Sequence, residues 1–518
     1  MYCYPVTFPG LLALLRMSRK LGLILFAISI CTSFQFGYHT GVINAPLELI
    51  SDFISNVTDS RYGTPEKAYV TTLTSFCVAS FLISGILGAL LSGVFANKLG
   101  RKKSVIILSL PCILGSILLM ISLVSNSFEL IIVGRLLIGL ACGSYTGIGP
   151  MYMSEISPTS VRGASGVLNQ LVIVSSILIS QILGLSELMG TKQLWPYLLG
   201  LNIIPCVIGM VILFWCPESP RYLYLMKRDI MAAREALRKL RGSLADVQSE
   251  MDQLALEAET QAAKVSVFSL LKVQHLRRAL CIAILAQMGQ QLSGINGLFY
   301  YSVKLLTSLG LSNAQAAYVN IGIGCTLVAV TIVSVFIIDR LGRRVLLIGG
   351  FADACICLLV FSACIIGRKL GNVNWPIYMA IVFIYLFVCG FAIGPGSIPW
   401  FIVPELFGQE TRDAALSTAI TANWICNIIV ALGFIQLVDY IDIYSFIPSA
   451  CILLVIIVLL FLYLPETMNR SVASIESELK RPVRCSPRRY SYRSARSLES
   501  DVEVSVTRDG GPNEPEKQ

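Results

Sequence analysis

The chain has 518 residues, of which 55% are hydrophobic and only 14% charged, with a mean hydropathy of +0.73 and a formal net charge of +9. Those proportions exclude an ordinary soluble globular domain and point to an integral membrane protein. The positive charge does not imply a nucleic-acid partner, since no soluble basic domain presents it. The sixteen cysteines lack paired spacing and fall mostly inside apolar runs, which implies packing residues and no metal site.

A bilayer core needs about 20 apolar residues per helix, and twelve runs in this chain meet that length. They are centred near Ile30, Ser84, Gly115, Ala141, Ile177, Ile204, Gly289, Cys325, Cys355, Gly390, Thr421 and Leu453. Six precede a polar stretch and six follow it. The expected fold is an all-α membrane protein of two six-helix bundles. Its divisions are a cytoplasmic N-terminus (1–20), a first bundle (21–215), a cytoplasmic helical linker (216–278), a second bundle (279–464) and a largely disordered cytoplasmic tail (465–518).

The elements follow in chain order. Arg16, Arg19 and Lys20 precede the first run, which reads as a signal anchor; most Lys and Arg lie on that side, which places both termini in the cytosol. On the other face, Asn56-Val57-Thr58 forms an N-glycosylation acceptor between spans one and two. The linker alternates charged and apolar residues, as in Ala232 to Leu240, and predicts short amphipathic helices that join the bundles or latch them. After Pro465 the sequence turns polar, with Arg484, Arg488, Arg489, Arg493 and Arg496 among serines, a composition that predicts disorder.

Across these elements the chain repeats itself. Asn97-Lys98-Leu99-Gly100-Arg101-Lys102 returns as Asp339-Arg340-Leu341-Gly342-Arg343-Arg344, Pro217-Glu218-Ser219 as Pro465-Glu466-Thr467, and Glu155 with Arg162 as Glu405 with Arg412. The shared offset of about 245 residues marks two copies of one membrane unit, the plan of a transporter whose halves rock about a site between them. Charges at span ends are costly unless paired. Arg101, Glu155, Arg162 and Glu218 are therefore expected to form one gate network, with Arg343, Glu405, Arg412 and Glu466 as its copy.

Span seven carries Gln287, Gln290, Gln291 and Asn296 with two glycines, and span ten carries Gly394-Pro395-Gly396-Ser397-Ile398-Pro399-Trp400. Uncompensated amides at hydrocarbon depth are costly, so these are expected to face an aqueous cavity, and prolines remove backbone donors, so both helices are expected to be broken at the substrate site. Gln170, Asn423, Asn427 and Trp400 complete a neutral amide-rich set. Such groups suit an uncharged polyol, with an indole face for a sugar ring, although each amide alone also reads as interhelical glue.

With Arg101, Gln290 to Asn296, Phe299-Tyr300-Tyr301-Ser302, Pro217 to Arg221, Gly394 to Trp400 and Gly41 to Pro46, the chain resembles the facilitative hexose transporters of the major facilitator superfamily over nearly its whole length. The resemblance implies a plasma-membrane carrier for glucose and related hexoses, working passively by alternating access, with no cofactor and no enzymatic activity. Carried over by position, it implies sugar contacts at Gln170, Gln181, Gln290, Gln291, Asn296, Phe391, Trp400 and Asn423. It also implies that Tyr300 and Tyr301 close the outer side.

Four positions depart from the glucose-carrying pattern. Leu327 stands where those members have an Asn, Ala392 where they have a Glu, and Gln287-Met288-Gly289 is nearer the fructose-carrying members, although Trp400 is retained. His39 stands where related proton-coupled symporters use Asp and uniporters use Asn. An imidazole titrates near pH 6.5, so proton-linked symport through His39 is an alternative, as are fructose transport and a non-transporting sugar receptor.

Overall fold

The computed structural model describes residues 19–158, 162–241, 244–259, 267–371, 375–441, 444–468, 470 and 472–480. Among these, ten helices are long and apolar enough to cross a membrane unaided. Spans one to six are Lys20–Gly41, Lys67–Leu99, Arg101–Ile121, Glu129–Ile156, Arg162–Leu183 and Trp195–Trp215. In the second half, Asn313–Leu341, Arg343–Gly371 and Gln409–Ile441 are spans eight, nine and eleven.

Spans seven and ten are the broken ones. Span seven consists of Gln274–Leu292 and Ile295–Ser308, separated at Gly294, whose φ of +85° is open to glycine but strained for other residues. Trp375–Ile393 and Ile398–Leu406 form span ten on either side of the Gly394-Pro395-Gly396-Ser397 turn. Ile447–Tyr463, at 17 residues, is span twelve. The twelve-span architecture of the major facilitator fold is thus present, and the two interrupted helices are those that the Gly and Pro pattern singles out.

Close helix packing in the first half rests on absent side chains. A Cβ at Gly88 would lie 2.1 Å from the Leu140 carbonyl oxygen, one at Gly139 2.1 Å from that of Phe81, and one at Gly143 2.0 Å from that of Gly85. Spans two and four therefore touch backbone to backbone. In lipid, where apolar burial gives no net drive, such contact supplies the attraction that side chains supply in water. Spans nine and ten use the same device, since a Cβ at Gly394 would meet the Leu346 carbonyl oxygen at 2.2 Å.

Both non-membrane regions carry helices. In the linker, Ile230–Arg241 and Leu244–Glu259 pack through Ala233, Leu237, Val247 and Met251, and Arg241 ties them to the end of span four by donating to the Ile156 carbonyl at 2.8 Å. After span twelve, Val472–Lys480 is a helix docked on span seven. Its Ile475 and Leu479 lie one turn apart on a buried face, Arg278 donates to the Leu479 carbonyl at 2.9 Å, and His275 Nε2 is 2.9 Å from Glu476 Oε1. The expectation of a largely disordered tail does not extend to this segment, where two apolar residues at helical spacing find a partner surface. The Arg- and Ser-rich run lies outside the described residues.

Gly143→Leu places a branched side chain against the backbone of span two. The expected outcome is a protein that either fails to elute as a single species in detergent or melts well below wild type, by an overpacking cost of about 1–3 kcal/mol or more; an unchanged melting temperature would show that the glycine contact does not hold the half together.

Candidate functional site

The repeated charged motifs build the same corner twice. In the first half, Arg101 Nη2 donates to Glu155 Oε1 at 2.9 Å and Nε lies 2.8 Å from Oε2, while the Ser219 hydroxyl donates to Glu155 Oε2 at 2.5 Å. Glu218 Oε1 accepts the backbone N–H groups of Arg101, Lys102 and Ser219 at 2.9, 3.0 and 2.9 Å. A carboxylate thus caps the start of span three, where unpaired N–H groups and the helix dipole favour negative charge. Gly100, at φ +93°, leaves room for it, because a Cβ there would fall 2.4 Å from Glu218 Oε2.

The second half copies this arrangement. Arg343 Nε is 3.3 Å from Glu405 Oε1, Thr467 Oγ1 donates to Glu405 Oε2 at 2.5 Å, and Glu466 accepts the backbone N–H groups of Arg343, Arg344, Thr467 and Met468 at 3.0 to 3.2 Å. Gly342 repeats the positive φ, at +87°. Both networks lie within a half and do not cross between halves.

Arg412 departs from the expected network. It makes no ion pair among the described residues: its Nη2 reaches only the Phe407 carbonyl at 3.5 Å, and its Nε is buried without a partner. The physical reason is the state of the molecule. A cavity of about 1770 Å³ opens on the side carrying the linker, bordered by Glu155, Arg241, His275, Arg412 and Glu476, so Arg412 borders an open space. The side chain of Arg162 lies outside the described residues.

At the centre, the amides expected as a binding set are bonded to one another. Asn423 Nδ2 donates to Gln287 Oε1 at 2.7 Å and Gln290 Oε1 at 2.8 Å, and its Oδ1 accepts from Gln291 Nε2 at 2.9 Å; Asn296 Nδ2 donates to Gln291 Oε1. The remaining donors point into the break of span ten. Gln290 Nε2 reaches the Pro395 and Gly396 carbonyls at 2.8 and 3.0 Å, and Gln287 Nε2 reaches that of Pro399 at 3.1 Å. Pro399 has no N–H, so the carbonyl four residues earlier, at Pro395, has no helical donor, and the Gln290 amide takes its place. Phe391 is 8% exposed and Trp400 half-buried on the same broken span.

Tyr300 and Tyr301 are buried on the outer piece of span seven, where Tyr300 donates to Asn427 Oδ1 at 3.3 Å and Tyr301 to the Ala431 carbonyl at 2.7 Å. Gln170 is half-buried on span five and stands apart from the hydrogen-bonded cluster. Gln181 instead donates to Asn320 Oδ1 at 3.1 Å, which joins span five to span eight across the two halves. Asn44 also crosses, donating to Ser302 Oγ at 2.7 Å. With a cavity on the linker side and these bonds on the opposite face, the protein is open toward the linker.

Sequence reasoning did not single out Asn320 or Trp424. Trp424 packs edge-on against Phe36 of span one, with ring centroids 5.9 Å apart, and fills the space above Gly85 of span two. The available signals were an amide inside the apolar part of span eight and an indole following Asn423. Leu327, where an amide was expected, is buried.

His39 is fully buried, and neither ring nitrogen has a hydrogen-bond partner among the described residues. Its ring stacks on Phe81 at 6.0 Å, and the Arg135 guanidinium sits 5.2 Å from the centre of that same ring, donating to the Val78 carbonyl at 3.2 Å. Neither His39 nor Arg135 has a salt-bridge partner among the described residues.

Comparison with known proteins gives a consistent result. The family model described as "Sugar (and other) transporter" matches residues 25–479. The chain is 41% identical over 457 residues to solute carrier family 2, facilitated glucose transporter member 3 of Ovis aries, covering 87% of this chain and 92% of that protein. It is 39% identical over 457 residues to the Homo sapiens protein of that name, covering 87% and 91%. Among solved structures it is similar in fold to the E. coli xylose transporter XylE in a partially occluded inward-open conformation, with a TM-score of 0.73, 21% identity and coverage of 88% of this chain and 100% of that one.

Asn423→Ala removes the hub of the amide cluster and leaves the carbonyls of Gln287 and Gln290 and the Nε2 of Gln291 short of partners. The expected result is a loss of about 1–3 kcal/mol of stability, since buried unsatisfied groups carry that cost. Thermal melting in detergent, with Asn427→Ala as comparison, checks this; equal melting of wild type and Asn423→Ala would remove the hub from the account.

Proposed function

The chain belongs to the sugar transporter family of the major facilitator superfamily, and on that premise we propose that it carries hexoses, D-glucose foremost, passively across the plasma membrane by alternating access. It transforms no substrate and needs no cofactor; the sugar gradient drives net flux. The linker, with both termini, lies in the cytosol, and the cavity on the linker side is the cytoplasmic entrance to the site. Asn56, exposed on the helix Leu47–Tyr62 of the opposite face, is the glycan acceptor.

The observation that carries this reading is the amide cluster at the two helix breaks. Gln287, Gln290, Gln291, Asn296 and Asn423 hold donors and acceptors at membrane depth, with no formal charge among them. A hexose offers hydroxyls that both donate and accept, so it can exchange bonds with these amides without leaving a buried group unpaired, while the Trp400 indole and Phe391 ring cover its C–H faces. Gln170 and Gln181 contribute to the site from the first half. Tyr300 and Tyr301 close its extracellular side. Leu327 offers no hydrogen bond, which weakens sugar binding relative to members with an Asn there.

Passive transport is favoured over proton coupling by the surroundings of His39. A coupled carrier needs a group that takes up a proton and a partner that senses the change, and no carboxylate pairs with His39 or Arg135 among the described residues. A neutral imidazole filling space against Phe81 and Tyr38 accounts for His39.

Reconstituted alone in proteoliposomes, the protein is expected to equilibrate D-glucose but not L-glucose, and an inward proton gradient is expected to leave the endpoint unchanged. Accumulation above the external concentration would overturn passive transport, and absence of stereospecific flux would overturn the glucose reading and bring fructose and sugar sensing forward. In the same assay His39→Asn is expected to retain the wild-type pH profile of uptake between pH 5.5 and 8, roughly the window in which an ordinary imidazole titrates; a shifted profile would assign His39 a proton.

A further inference from the structure

On the face opposite the linker, three buried hydrogen bonds, two of them between the halves, converge on one atom. Asn320 Oδ1 accepts from Ser302 Oγ at 2.8 Å, from Gln181 Nε2 at 3.1 Å and from Asn44 Nδ2 at 3.3 Å. Ser302 belongs to the second half, as Asn320 does, whereas Gln181 and Asn44 belong to the first. The orientation of these amides is fixed by the backbone. The N–H of Val303 donates to Asn44 Oδ1 at 3.2 Å, so the Asn44 NH₂ must face Ser302 and Asn320, and Asn320 must present its oxygen. All four side chains are at most 2% exposed.

We propose that Asn320 is a positioning residue for transport: its carbonyl oxygen seals the extracellular side in this state and stores Gln181 away from the sugar until that side opens. This inference rests on the carrier reading above. Opening the extracellular face separates spans one and five from spans seven and eight, which strips two cross-half bonds from Asn320 at once. Gln181 Nε2 is then released to a sugar hydroxyl. Gln181 Oε1 is already buried without a partner, and a Cβ at Gly324 would lie only 2.2 Å from it, so Gln181 gains bonds by leaving the sealed position.

Asn320 also lies on span eight two turns from Leu327, the position without the expected amide. Span eight thus contributes its amide to the gate and not to the floor of the site. A gate that holds a sugar ligand in reserve makes the two sides unequal. Weakening it raises the population of the outward-open state, which lowers the sugar concentration needed for half-maximal entry and raises that for half-maximal exit, whereas a general loss of fold lowers flux in both directions.

The test uses the full chain in nanodiscs and proteoliposomes, with Asn320→Leu, which cannot accept a hydrogen bond, and Asn320→Thr, whose hydroxyl accepts one. Hydrogen–deuterium exchange is expected to rise several-fold in Asn320→Leu in peptides covering 44–62 and 302–312 on the sealed face and to fall in 410–417 at the rim of the opposite cavity, with Asn320→Thr intermediate. In parallel, the ratio of exit KM to entry KM for D-glucose is expected to rise on the order of ten-fold, the effect of removing two ordinary hydrogen bonds. Exchange that rises on both faces together, or a KM ratio equal to wild type, overturns the proposal. If the wild-type protein moves no D-glucose, the carrier reading fails by itself, and the sidedness of exchange still decides whether Asn320 is the seal.

Discussion

Every polar backbone group inside a bilayer must find a partner in the protein, and the centre of this molecule is organised by that requirement. Span ten is broken around Gly394 to Ser397, and the carbonyl at Pro395, whose helical donor Pro399 cannot supply, would be intolerable unpaired in hydrocarbon. Span seven supplies the missing donors from Gln287 and Gln290, and Asn423 of span eleven fixes both glutamines by their oxygens. A break that exposes carbonyls and a helix that carries amides are one design. It leaves, where the two broken helices meet, a set of neutral donors and acceptors bonded to one another.

A carrier must also hold each half rigid while the halves move. The two carboxylate-capped corners, where Glu218 caps span three and Glu466 caps span nine beside the Arg101–Glu155 and Arg343–Glu405 pairs, join the ends of spans within each half. The glycine contacts between spans two and four do the same at mid-membrane. By contrast, among the described residues the buried bonds that cross between halves on the face away from the linker join neutral amides, a hydroxyl and a backbone N–H, and nearer the surface Glu48 and Glu187 accept long bonds from Asn313 and Tyr318 at 3.4 and 3.5 Å. Bonds of that kind are worth about 1 kcal/mol each and can be broken by thermal motion, whereas buried charge networks resist separation.

Much of this was legible in the sequence, and the reason is repetition. Glu218 and Glu466, or Arg101 and Arg343, are recognisable because each motif occurs twice with the same neighbours, and a capping carboxylate works through local backbone geometry that the repeat preserves. The breaks in spans seven and ten were readable for a related reason, since Gly and Pro act on their own backbone. Arg412 was not readable, because its surroundings are a cavity assembled from both halves and the linker, which no local motif records. The same holds for Gln181, which the family pattern assigns to the sugar and which here bonds to Asn320. Asn320 has no counterpart in the first half, so no repetition pointed to it, and its partners come from three other spans.

The capping carboxylates have a consequence for how the protein is made. The N–H groups at the start of span three wait for Glu218, more than a hundred residues downstream, and those at the start of span nine wait for Glu466, just beyond the last span. Each half therefore carries its last fastening at its own C-terminal edge, and all the groups fastened belong to that half. The ribosome delivers the first set while the second half is still unwritten, so the first bundle can close as a finished unit during synthesis. The second must remain unfastened until Glu466 itself has been delivered, which makes the stretch between Arg343 and Glu466 the interval in which the nascent chain depends most on whatever guards it in the membrane.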